Sequence, residues 1–289
     1  MVDLDSTNPK QSSRSIASAC GKLRAVLLKL IRQHEEAGTL PTSGRFLFYE
    51  LVAMGVISKQ RKNGGRRSDQ NMTDALVRLR EQGTIPWEWI VDETRSLDQP
   101  FVDKSIAAWL LRAMKQARID PWAGNAPLIL TESRSLAGVL RTLTRNYAVP
   151  IAPTNGQCGG FLHTEVAPSM HPGQRVLYLG DLDYSGNQIE ANTRHVLERE
   201  VGKIRWERLA LTQEQAQKYR LPEIMKPDRR FRPAKMMPAI ETEALRQEII
   251  VEIVRARLQA LLPQPIERVL EREKRQRKVL MPDLIFRLK

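Results

Sequence analysis

The sequence predicts an α/β chain with a helical N-terminal part, on three observations. Apolar residues recur at helical spacing up to about Arg112. From Ala126 onward, short continuous apolar runs alternate with amphipathic stretches, as expected of strands buried on both faces of a parallel sheet. One of these runs ends on two aspartates one residue apart, in "RVLYLGDLDYSG" (Arg175 to Gly186).

Residues 1–15 are polar, carry no apolar signal-peptide region, and are expected to be a disordered tail. Residues 16–100 are expected to form the first domain. "ASACGKLRAVLLKLIRQHEEAG" has apolar residues at helical spacing and stops at a glycine. "PTSGRFLFYELVAMGVI" opens with Thr42 and Ser43 as candidate N-caps, and "SDQNMTDALVRLREQG" opens at Ser68 or Asp69 and stops at Gly83. "TIPWEWIVDETR" follows a Gly-Thr turn and is expected as a strand or wing, with Trp87 and Trp89 facing one side of it in the core. Three helices followed by a β element is the order of a winged helix, a module that lays a helix and a basic loop on DNA. A small helical bundle without that role is the alternative.

Residues 101–125 are expected to be a connecting helix with a Pro/Gly exit, and residues 126–265 a parallel-sheet domain. "APLILTE", "YAVPIAPT" and "RVLYLGD" are its strands. "SRSLAGVLRTLTRN" between the first two places Leu136, Leu140 and Leu143 on one helical face, which makes a βαβ unit. The helix "NQIEANTRHVLEREVG" and the strand "KIRWERLALT" continue the alternation. "YRLPEIMKPDRRFRPAKMMPAI" is rich in proline and reads as an irregular excursion. "ETEALRQEIIVEIVRARLQALLP" reads as an amphipathic helix, and residues 266–289 as a basic tail.

Charge narrows the function. Against 33 Asp and Glu the 289-residue chain has 46 Lys and Arg, a net charge of +13, which suits a polyanionic partner and points to double-stranded DNA. The charge is concentrated in "KQRKNGGRR", where Lys59, Arg61, Lys62, Arg66 and Arg67 are candidate phosphate contacts, and in "REKRQRK" near the end. Cys20 and Cys158 are too few for a disulfide framework or a four-cysteine zinc site. No run approaches the ~18 consecutive apolar residues of a membrane span, so a cytoplasmic, nucleoid-associated protein without membrane contact is expected.

Ligands collect beyond the carboxyl ends of strands in an open parallel sheet. Glu132 stands at one such end and Asp181 and Asp183 at another. Three carboxylates at one sheet edge raise each other's pKa unless a cation joins them. Mg²⁺ prefers hard oxygen ligands and is held by one or two carboxylates together with substrate phosphate. Gly186 would let backbone or phosphate come close where the next helix starts. An isolated D-x-D is more often a turn or a cap, and Glu132 on a neighbouring strand is what favours a metal.

These stretches, "LILTES", "AVPIAPT" and "LYLGDLDYSG", resemble the Toprim fold of the topoisomerase VI A subunit and the related meiotic break-forming transesterases. The resemblance implies Glu132, Asp181 and Asp183 as Mg²⁺ ligands. "RFLFYEL" is similar to the family's arginine followed by paired aromatics, which implies Tyr49 as the nucleophile on a winged helix and Arg45, one turn earlier, as its phosphate contact. Here the pair is Phe48-Tyr49 and not two tyrosines. The family's chemistry is attack of tyrosine on the DNA phosphodiester to give a 5′-phosphotyrosyl link, in a homodimer whose sites are shared between protomers. The chain is shorter than the family's full length and shows no P-loop, so any strand passage would need a separate ATPase subunit; small orphan A-subunit-like relatives match best. The alternatives are a Toprim nuclease that hydrolyses DNA, with Tyr49 packed in the core, and a DNA-binding protein with a degenerate site.

Two further carboxylates, Glu241 and Glu243, would extend the acidic site if their segment joined the sheet; a solvated helix start is the commoner arrangement. His163, His171 and His195 lack metal-ligand spacing. "NGQCGG" lacks the Lys-Ser/Thr of a P-loop, so no nucleotide is expected there.

Overall fold

The computed structural model describes residues 9–58, 68–91, 100, 102–156, 159–228 and 233–287. It is a mixed α/β chain with parallel sheets, divided into two compact units: Met1–Asp92 with Glu243–Glu248, and Glu93–Thr242 with Ile249–Lys289. The basic stretch holding Lys59, Arg61, Lys62, Arg66 and Arg67 lies outside the described residues.

In the first unit the helix α1 (Pro9–Glu36) begins inside the stretch expected to be a tail. Strand β1 (Thr42–Ser43) leads into α2 (Gly44–Ala53), which is capped by Ser43 accepting the Phe46 N–H at 3.2 Å. The helix α3 (Ser68–Glu81) follows, and Leu27, Ile31, Leu47, Leu51, Met72 and Leu76 of the three helices close a common core. Of the expected wing, the described residues form a 3₁₀ turn (Trp87–Trp89) and a two-residue strand β2 (Ile90–Val91), parallel to β1. The turn sends the two tryptophans apart, against expectation. Trp89 packs on the core, whereas Trp87 is 55% exposed with the Arg80 guanidinium 4.7 Å from its ring centroid.

In the second unit, α4 (Ile106–Gln116) forms inside the stretch expected to be a connecting helix. Its sheet consists of β3 (Leu128–Thr131), β4 (Ile151–Pro153), β5 (Arg175–Leu179) and β6 (Arg205–Ala210), all parallel, in the order β4-β3-β5-β6. The crossovers carry α5 (Arg134–Asn146), α6 (Gly159–Phe161) and α7 (Tyr184–Val201). Alternate residues of the central strands, Leu128, Leu130, Val176 and Tyr178, form one core with Val196 and Leu197 of α7. On β3 and β5 the burial is nearly continuous, which is why both read as unbroken apolar runs. The connection that leaves β3 runs to β4 on one side, and the connection that leaves β5 runs to β6 on the other. The crevice beyond the ends of β3 and β5 is therefore the sheet's topological switch point.

After α8 (Gln213–Lys218), the proline-rich segment departs from its expected irregularity. It forms an antiparallel hairpin of β7 (Ile224–Asp228) and β8 (Lys235–Ala239). Pro227 and Pro238 are tolerated because a two-stranded sheet is all edge. The expected amphipathic helix is α9 (Gln247–Leu261). The expected basic tail is the helix α10 (Ile266–Arg287), held by burial of Ile266, Val269 and Glu273. Glu273 accepts from Arg118 Nε at 2.8 Å and from the Ile119 N–H at 3.0 Å. No helix among the described residues is long and apolar enough to cross a membrane.

Candidate metal centre

Adjacent strand ends bring the three predicted carboxylates together. Thr131 pairs with Leu179, and the Glu132 N–H donates to Leu179 O at 2.8 Å, so the ends of β3 and β5 are level. The Glu132 carboxylate then accepts the Asp181 N–H at 3.0 Å. Leu182 makes an antiparallel bridge to Ile240, with N···O distances of 2.8 and 3.1 Å, which holds the Asp181-Leu182-Asp183 segment extended. In an extended segment alternate side chains share a face, so both aspartates turn the same way.

Each aspartate also has a structural task. Asp181 Oδ1 accepts from the Thr242 N–H at 2.9 Å and from its hydroxyl at 3.1 Å. Asp183 is the N-cap of α7, accepting the Gly186 N–H at 2.7 Å. The glycines of the motif are explained by contact. A Cβ on Gly186 would stand 2.4 Å from the Asp181 carbonyl oxygen, and one on Gly180 would stand 2.5 Å from the fully buried Tyr178 ring. From behind, Arg208 donates to Gly180 O at 3.0 Å, Asp181 O at 2.7 Å and Leu211 O at 2.8 Å, and pairs with Glu190.

The sequence reading missed the cation at this centre. Lys226, on β7, places its Nζ 2.9 Å from Asp183 Oδ2, 3.4 Å from Asp181 Oδ2 and 3.4 Å from Glu241 Oε1. Its only advance signal was a lysine between alternating residues of "IMKPD". Burial would lower its pKa, but the Asp183 hydrogen bond and the charges of Asp181 and Glu241 outweigh that and hold it above its ordinary value. The Glu132 carboxyl is pushed up to about 7, by burial first and then by the charge of Asp181. Glu241 thus joins the acidic site. Glu243 does not: its buried carboxylate meets Arg45 Nε at 3.2 Å in the first unit.

Arg45 and Tyr49 both lie on α2. The Arg45 side chain is 41% exposed, whereas Tyr49 is 6% exposed and packs edge-on against Phe48, with ring centroids 5.6 Å apart. In the second unit, Tyr178 is fully buried, while Tyr184 opens α7 directly after Asp183 and is 46% exposed.

A further histidine-acid group occurs in the first unit, where ligand atoms of His34, Glu50 and Glu248 lie within 4.8 Å of one another. The imidazole is already engaged on both sides, with Nδ1 2.8 Å from the Thr39 hydroxyl and Nε2 3.0 Å from Glu50. It accounts for itself as a buried histidine with satisfied nitrogens. Among the described residues, Glu132, Asp181 and Asp183 do not form a group of that spacing. Their donor set nevertheless suits Mg²⁺, since it offers hard carboxylate oxygens at a switch point and its two aspartates already share a positive charge.

Compared with known proteins, the chain matches no family model, no curated protein and no solved structure.

Proposed function

We propose that the protein is a Mg²⁺-dependent DNA strand-cleaving enzyme, with a winged-helix-like first unit that binds duplex DNA and a Toprim-like second unit that carries the chemistry. One observation carries this reading: Glu132, Asp181 and Asp183 converge at the switch point of a parallel sheet, with Glu132 on the Asp181 backbone and the two aspartates sharing one cation. Mg²⁺ bound there would neutralise the scissile phosphate and stabilise the leaving oxygen. The chain's own groups orient that site. Thr242 fixes Oδ1 of Asp181, the α7 cap fixes Asp183, and Arg208 fixes the backbone beneath them. The net charge of +13 favours a nucleic acid over a small phosphate ester.

In the leading mechanism Tyr49 attacks the phosphodiester and stays linked to the 5′ end, with Arg45 at the phosphate. A C₂ homodimer then cuts both strands, and strand passage would require a separate ATPase subunit. A second reading, hydrolysis by water at the same centre, is favoured by the burial of Tyr49, since a phenol 6% exposed is hard for a phosphodiester to reach.

One experiment separates the two. Wild-type protein and Tyr49→Phe are incubated with plasmid and Mg²⁺, stopped with denaturant, and assayed for cleavage and for protein linked to DNA ends. Loss of cleavage and adduct together in Tyr49→Phe, with the adduct mapped to Tyr49 in the wild type, supports the transesterase. Wild-type cleavage without adduct, undiminished in Tyr49→Phe, establishes the nuclease. An adduct mapped elsewhere, for instance to Tyr184, removes Tyr49 from the chemistry.

A further inference from the structure

We propose that the Lys226 ammonium is a built-in competitor for the metal: it offsets part of the negative charge of the acidic centre in the metal-free protein, and a divalent cation enters only by displacing it. The inference rests on the metal-binding reading above and adds a residue and a coupling that the reading does not contain.

Three observations carry it. The ammonium takes its contacts from Asp183, Asp181 and Glu241, so two of its three partners are proposed ligands of the ion. Oδ1 of Asp181 and of Asp183 already accepts from Thr242 and Gly186, so the ammonium at 2.9 and 3.4 Å holds the Oδ2 atoms that Mg²⁺ would need at about 2.0–2.1 Å. Two positive charges would also repel across that short gap. Finally, Lys226 has somewhere to go. Its side chain is 37% exposed, and it sits on a two-stranded hairpin with Met225 57% and Met236 49% exposed. A segment that buries so little apolar surface opens at low cost.

The consequence is a weakened apparent affinity for metal. If the centre is free of Lys226 about one-tenth of the time, binding is about tenfold weaker than the carboxylates alone would allow. Ion binding and release of the lysine are then one event.

The test uses the full chain with Mn²⁺ as probe, counted by the electron paramagnetic resonance of the free ion, and Mg²⁺ in competition. Lys226→Met keeps the side-chain stem and removes the charge, and is expected to bind Mn²⁺ about tenfold or more tightly than wild type at a single site. Equal affinities for the two proteins overturn the competitor while leaving the metal centre standing. No binding to either protein overturns the metal reading and the competitor with it. Binding to Lys226→Met alone supports the competitor and overturns a metal-dependent role for the wild-type protein. Should Lys226→Met fail to fold, the wild-type protein still decides. Reductive methylation of Lys226, followed by mass spectrometry against the exposed Lys203 as reference, should accelerate severalfold when Mn²⁺ is added, and an unchanged ratio overturns the displacement.

Discussion

Lys226 Nζ lies 2.9 Å from Asp183 Oδ2, while the other oxygen of the same carboxylate accepts the Gly186 N–H at 2.7 Å. A single side chain therefore meets the cation and starts the helix. The two tasks separate by substitution. Asparagine caps as well as aspartate, so Asp183→Asn should keep the helix start, whereas Asp183→Ala should be less stable than Asp183→Asn by about 1 kcal/mol in urea denaturation. Equal stability of the two variants would show that the cap contributes nothing.

The glycine at the end of the motif gives a prediction of opposite sign to helix propensity. In an exposed helix interior, Gly→Ala stabilises by about 1 kcal/mol. At Gly186 the new methyl would meet the Asp181 carbonyl oxygen at 2.4 Å, and a backbone atom yields little. Gly186→Ala should therefore destabilise by about 1–3 kcal/mol, measured by denaturant midpoint. A stabilised variant would mean that the close approach of α7 to the aspartate segment is absent.

For Glu132 the sign of the pH dependence follows from its raised pKa. Between the ordinary value of 4.5 and about 7, the folded chain holds a proton that the unfolded chain has released. The metal-free protein should lose stability from this group as pH rises through that window and level off above it. Glu132→Gln cannot ionise, so its stability profile in EDTA should lack this decline. A Glu132→Gln profile parallel to wild type across the window would contradict the account.

The last helix is part of the domain. Glu273 is 4% exposed and accepts from Arg118, Ile119 and Arg277. Burial alone would raise its carboxyl, but the hydrogen bonds from Arg118 and Ile119 outweigh burial and hold it below its ordinary value. Glu273→Ala removes charge-assisted bonds worth about 1.5–3 kcal/mol each before relaxation, so the melting temperature should fall by several degrees. An unshifted melting temperature would return residues 266–289 to the status of a tail.

What the sequence reveals and hides follows from range. The strands β3 and β5 were legible because burial on both faces leaves an uninterrupted apolar run, and the carboxylates that close those runs could be picked out as a candidate site. The cap at Ser43 was legible as a local signal, whereas Asp183 was read as a ligand and its capping of α7 stood only as the alternative for a D-x-D. Lys226 was not legible, because it reaches Asp183 across 43 residues from a proline-rich segment with no clear period. The tail reading of α10 failed because its charges hide a sparse inward stripe of Ile266, Val269 and Glu273. Arg208 was equally hidden, since it works through backbone carbonyls that leave no mark on the partner residues.

The central claim is that the acidic cluster at the switch point is a divalent-cation centre that cuts DNA. Its most direct test is nicking and linearisation of supercoiled plasmid by the purified protein with Mg²⁺, with EDTA, and with the Asp181→Asn variant in Mg²⁺. We predict cleavage by wild type with Mg²⁺ alone, and none with EDTA or with Asp181→Asn, whose DNA affinity should stay near the wild-type value. Cleavage that persists in EDTA, or at the wild-type rate in Asp181→Asn, would contradict the claim.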